Sequence, residues 1–241
     1  MSGGEFTGFP SDALRFLRAL RRNNRREWFL EQRARYEHSV RAPIVQLVEE
    51  LDARFARFAP EITGDPKRSP FRIHRDVRFS ADKSPYKTHA AAWFFHRDAG
   101  KGVGGSTPHG GAGFYFHLEP NASLVAGGLW MPPPDALRRI RQALGEDHRA
   151  FARIVKSRTV ASRFGALNEE AMLRRVPRGF EPEHPAAEWL RHRSFTMSRT
   201  LSNDEVQSPN LADTLEQDYR GLLPLVRWLN GAVGFSPATR R

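Results

Sequence analysis

"GFYFHLEPNASLVAGGLWM", Gly113 to Met131, is the stretch from which the fold is read. Phe114, Phe116 and Leu118 alternate with Tyr115, His117 and Glu119, which is the period of a strand with one apolar face. Ser123 to Met131 reads as the next strand. Working outward, Ala90 to His96 supplies a strand before this pair, and Ser194 to Leu201 a late one in which Phe195, Met197 and Leu201 alternate with Ser and Thr. Further upstream, Phe71, Ile73, Val77 and Phe79 alternate with Arg72, His74, Asp76 and Arg78, which predicts a strand there with Arg75 on its apolar side. Strands in sequential order predict an antiparallel meander.

The flanks read as helices. Leu14, Leu17 and Leu20 share a face of a helix running from near Pro10 to Asn23, and Asn24 with Glu27 has the spacing of a capping box for the next, continued by Trp28, Tyr36 and Val40. Ile44, Leu47, Val48, Leu51, Phe55 and Phe58 recur at three and four residues behind a first-turn Pro43. Downstream, helices are expected around Leu137 to Leu144, Phe151 to Val155, Glu169 to Arg175 and Leu211 to Val233, the last kinked or broken at Pro224. The expectation is one domain over 1–241, an α+β fold with an antiparallel sheet meander packed against N-terminal and C-terminal helices. Asp98 to Gly113, rich in glycine, reads as a long mobile loop.

With 241 residues the chain can bury a substantial core. The absence of cysteine removes disulfides, thiolate metal sites and cysteine nucleophiles, and fits a reducing compartment. The first residues lack a basic region followed by an apolar run, and no apolar run is long enough to cross a bilayer, so a soluble cytoplasmic protein without a membrane partner is expected. The net charge of +11 invites a polyanion partner, although nearly all of it is arginine in an Ala-, Gly- and Pro-rich chain, as a GC-rich genome would produce. Local clustering is more telling: Lys67 to Lys101 holds nine basic and three acidic residues.

The stretch "RDVRFSADKSPYKTH", Arg75 to His89, taken with "FYFHLEP" (Phe114 to Pro120), "GGLWMPPPDALRRIR" (Gly127 to Arg141), "PRGFEPEHPAAEWLR" (Pro177 to Arg191) and "PLVRWLN" (Pro224 to Asn230), resembles the family catalogued as domain of unknown function 2461, over about Phe6 to Gly234. The resemblance implies a soluble microbial protein of mixed helix and sheet. It brings no activity, substrate or cofactor.

Arg75 to His89 is the first candidate site. A strand feeding a tight turn at Ser84 and Pro85 would hold Arg75, Arg78, Lys83 and Lys87 near one sheet edge, where they could clamp a phosphate or carboxylate, with Tyr86 and His89 beside them. Asp76 and Asp82 could orient those cations or accept a proton; the alternative is that the cations and carboxylates pair among themselves as a structural network. The second candidate is Tyr115, His117 and Glu119, which strand geometry sends to one side. That set could do acid–base chemistry or hold a divalent metal, or it could be the wet face of an antiparallel sheet, and no metal is assigned. Gly100, Gly102 and Gly105 match G-x-G-x-x-G without the strand and helix that a dinucleotide site needs, so they read as loop. The tryptophans read as core. The leading expectation is a binder of an anionic small molecule or nucleic acid at Arg75 to His89. The alternatives are an enzyme using Asp76, Asp82, His117 or Glu119, and a protein-interaction module. Cofactor and oligomeric state are open.

Overall fold

β2 (Ala90–His96), β3 (Gly113–Leu118) and β4 (Ser123–Leu129) form the expected meander. β1 (Ile62–Thr63) joins beside β2, and β5 (Phe195–Leu201) beside β4, giving a five-stranded sheet in sequence order with every neighbour antiparallel. This is a computed structural model, and it describes residues 6–78, 80–99, 110–170 and 172–237.

Register explains the two faces. Phe94 stands opposite Phe114, Phe114 opposite Gly127 and Gly127 opposite Met197, and this row meets the helices. α1 (Ser11–Arg22), α4 (Ala42–Phe58) and α10 (Leu211–Val233) supply the apolar side. The Phe55 ring lies 5.1 Å from Phe94, and the Tyr219 ring lies 4.6 Å from Phe114. Each such buried aromatic stabilises the fold by about 1.5–3 kcal/mol relative to exposure. A Cβ at Gly127 would sit 3.0 Å from the Leu222 Cβ, so this glycine lets α10 close onto β4. Charge is buried on the same side: Asp218, fully enclosed on α10, accepts from Arg163 and from Nε and Nη2 of Arg199. None of the described helices is long and apolar enough to cross a membrane.

Several expectations need correction. Phe71 to Val77 is not a strand: only the isolated bridges Pro70–Ala92 and His74–Tyr86 form, and Phe79 lies outside the described residues. Proline at position 70 has no N–H to extend a ladder, and the Asp76 and Asp82 carboxylates draw the N–H groups of Arg78 and Ser84 into local turns. Among the described residues from Glu169 to Arg175 no helix forms. Asn168 and Leu173 instead donate their N–H groups to the carbonyls of Thr196 and Arg191, tying the segment along β5 and its approach.

Asn24 does not cap a helix, because its side chain is committed elsewhere. The second predicted helix is divided into α2 (Arg26–Glu31), α3 (Arg33–Tyr36) and a π turn, Glu37–Arg41, that runs into α4. Pro43 sits in the first turn of α4, where its missing N–H cannot bond back to Ser39. α5 (Pro134–Glu146), α6 (His148–Val155), α7 (Arg158–Phe164), α8 (Ala187–Leu190) and α9 (Asn203–Gln207) come between β4 and α10 in the chain, and α10 passes through Pro224 as one continuous helix. Of the expected loop, Arg97–Ala99 forms a short 3-10 turn, and Ala112 is buried with its N–H and C=O both bonded to the Asn230 amide. Gly100, Gly102 and Gly105 lie outside the described residues.

Candidate functional site

Helices cover one face of the sheet, and two irregular segments border the other. Trp93, Tyr115, Ala126 and Ser198 follow one another across β2 to β5, the row next to it holds Ala91, His117, Leu124 and Thr200, and both rows point away from α10. One border is the chain around Phe71, whose ring lies 6.2 Å from Tyr115. The other is Asn168 to Glu170, fixed where Asn168 donates to the Thr196 hydroxyl at 3.0 Å and accepts from the Ser198 hydroxyl at 3.3 Å. Between them lies a groove of about 610 Å³ with an aromatic floor and rim, the volume of a small-molecule site.

His117 marks one end of this face, and His89 reaches it from the turn that precedes β2. The two imidazole centroids are 4.4 Å apart, and one ligand atom each from His89, His117 and Glu119 all lie within 4.8 Å of one another. His117 Nε2 is 3.1 Å from a Glu119 carboxylate oxygen, and its Nδ1 is 2.9 Å from the Tyr115 hydroxyl. A carboxylate only accepts, so Nε2 carries the proton in this arrangement and Nδ1 accepts from Tyr115. Burial, with a smaller contribution from Glu119, pushes the Tyr115 phenol up to about 12, so it stays a protonated partner. Burial and then the neighbouring His117 push His89 down to about 4, leaving a neutral imidazole at physiological pH. The second carboxylate oxygen of Glu119 accepts from Arg21 at 3.3 Å.

Within Arg75 to His89 the cations are largely occupied. Arg75 donates to the Asp82 carboxylate and, at 2.8 Å, to the Ser84 hydroxyl, while its N–H reaches the Pro85 carbonyl. Arg78 forks onto Asp76 at 2.7 and 3.0 Å. Lys83 donates to the Val77 carbonyl at 2.9 Å. Lys87 rests over the Phe71 ring at 5.2 Å, half-buried, and burial together with Arg72 lowers its pKa. Tyr86 is buried against Phe29, with ring centroids 4.1 Å apart. Asp76 is held near 2 by Arg78, and Asp82 near 2 by the backbone and side chain of Ser84 and then Arg75. Both are poor proton acceptors at neutral pH, so their geometry suits turn closure better than acid–base work. Of the predicted residues, His89, His117 and Glu119 converge; Asp76, Asp82, Arg75, Arg78, Lys83 and Tyr86 belong to the turn that carries His89.

Sequence reasoning missed the groove. Trp130, read as core, is 49% exposed on its rim, and Glu169 and Glu170, read as helical, line it. The alternation of Thr196 and Ser198 in β5 was the available signal for the floor. Nothing local marked the glutamates, because their placement depends on bonds to a strand some twenty-odd positions later.

Fold and site together define an α+β protein with an open-faced antiparallel sheet, a groove on that face and a two-histidine, one-carboxylate cluster at its end. The chain belongs to the family described as conserved hypothetical protein (DUF2461), whose model matches residues 12–228. No curated protein and no solved structure matches it.

Proposed function

We propose that the protein binds a divalent cation at His89, His117 and Glu119 and uses it as a Lewis acid on a ligand held in the adjoining groove. The convergence of those three ligand atoms within 4.8 Å carries the reading. Two imidazoles and a carboxylate suit zinc, manganese or ferrous iron, with positions left for water or substrate. Tyr115 serves either His117 tautomer. It donates to Nδ1 when Nε2 carries the proton, and it accepts from Nδ1–H when Nε2 is a ligand, which orients the ring as partners of metal-bound histidines do. The turn's contribution is to fix His89, since Arg75, Arg78 and Lys83 are engaged with groups of their own.

Calorimetric titration of the full chain with Zn²⁺, Mn²⁺ and Co²⁺ tests this. The expected result is saturable binding of one cation per chain that His117→Ala and Glu119→Gln each abolish. An unchanged isotherm in both variants, or no saturable binding of any of the three ions, would remove the metal from the account.

A further inference from the structure

A second cavity, of about 630 Å³, opens where the π turn Glu37–Arg41 meets the chain from Lys67 to His74. Arg41, Lys67, Arg68 and Arg72 line it, and Glu37 is the one carboxylate on its wall. None of these four cations forms a salt bridge among the described residues, whereas Arg35, Arg54, Arg199 and Arg227 elsewhere in the chain are paired with carboxylates. Arg68 is placed by its guanidinium lying 5.2 Å over the Phe95 ring.

Hydrogen bonding singles out the same place. Three buried side-chain nitrogens among the described residues have no partner: Arg41 Nη1, Trp93 Nε1 and His192 Nδ1. Arg41 and Trp93 both line this cavity. A buried donor without an acceptor costs free energy, and guanidinium and indole N–H groups can only donate. An acceptor-rich group of negative charge would satisfy both donors and meet the four cations as well. A π turn that ends on Arg41 fits the same reading, since such turns carry a conformational cost and recur at functional sites.

We propose that this cavity binds the phosphate of a phosphorylated small molecule, with Arg41, Lys67, Arg68 and Arg72 supplying charge and Arg41 and Trp93 the inner donors. Three oxygens and up to two negative charges match several cations and two unpartnered donors better than a single carboxylate does. The cavity's volume, about 630 Å³, is on the scale of a small ligand, which favours a phosphate ester over an extended polynucleotide. Phe71 and Trp93 line this cavity and the groove alike, so the apolar remainder of such a ligand has a continuous surface to follow. The site stands independently of the metal centre.

The test is calorimetric titration of the metal-free full chain with pyrophosphate. Saturable binding of one anion per chain is expected, weakened about tenfold or more by the double variant Arg68→Gln, Arg72→Gln, as the loss of charge-assisted bonds implies. Both side chains are exposed, so the melting temperature should hold. A control with the same charge removed from helical positions, Arg138→Gln with Arg149→Gln, should bind as the parent does, and so should His117→Ala. The proposal is overturned if the control weakens binding equally, if no saturable binding occurs, or if a single-stranded oligonucleotide binds through these arginines while pyrophosphate does not.

Discussion

Asn24 and Tyr86, 62 residues apart, are joined by a reciprocal pair of hydrogen bonds: the Asn24 side-chain carbonyl accepts from the Tyr86 N–H at 3.0 Å, and its amide donates to the Tyr86 carbonyl at 2.9 Å. The amide acts as a strand edge would, clamping the turn to the corner between α1 and α2 three residues before His89. Asn24→Ala leaves a backbone donor and acceptor unpaired, and is expected to cost about 1–3 kcal/mol in urea unfolding. It should also weaken cation binding at His89 by loosening the turn. Loss of stability with unchanged cation affinity would show that His89 is held by its own burial instead.

His89 makes the cluster sensitive to pH in a defined direction. Its folded pKa, about 4, lies below the ordinary value of 6.5, mainly through burial. The unfolded chain therefore takes up a proton before the folded one as pH falls, and stability must drop across that window. The contribution is fully present above about pH 6.5 and is lost progressively toward pH 4. Urea midpoints at pH 7 and pH 5 should differ more in the parent than in His89→Phe, which keeps a half-buried ring without the titration. An equal difference in both proteins would place the acid sensitivity elsewhere.

Much of this architecture could be read from the sequence because local pattern and global packing agree. Leu14, Leu17 and Leu20, and the α4 series from Ile44 to Phe55, are buried where helical spacing places them, and Phe114, Phe116 and Leu118 enter the core where strand alternation does. His117 and Glu119 fall on one side for the same reason. The alternation from Phe71 to Phe79 misled because a period of two reports where side chains point, whereas a strand also needs free N–H groups and a partner along its length. The site was legible in pieces. His89 precedes a strand by one residue, and only the register of β2 against β3 brings it to His117. The cationic cavity was foreshadowed by the excess of charge from Lys67 onward, but Arg41 joins it through a helix contact that no spacing announces.

Tyr115 separates a metal centre from a polar patch. If the hydroxyl orients His117 for a cation, Tyr115→Phe should reduce cation affinity about tenfold or more, the usual consequence of deleting a group that supports a metal-bound histidine. The phenyl ring keeps its place on the groove floor, so stability should change by no more than about 1.5 kcal/mol, the net value of one hydrogen bond. Calorimetry with the preferred cation, beside a thermal melt, distinguishes the two effects. Equal cation affinity in parent and variant would mean that the hydroxyl has no orienting role.

Asp218 provides the opposite case, a charged cluster whose job is the fold. Its carboxylate is wholly buried on the helix side of the sheet and is shared by Arg163 and Arg199, with Arg199 forking at 2.7 to 3.0 Å and reaching on to Glu205 at 2.9 Å. Removing one partner of a buried pair leaves the other charge uncompensated, so Asp218→Ala should cost about 3–5 kcal/mol. For a chain of this size that corresponds to a fall of roughly 10 °C in melting temperature. Asp218→Asn should fall between, because one oxygen can still accept. Neither change touches the open face, so cation binding at His89, His117 and Glu119 and pyrophosphate binding near Arg41 should match the parent at temperatures where the variants are folded. If either affinity moved with Asp218, the two faces of the sheet would be coupled through β5, whose Arg199 and Ser198 point to opposite sides.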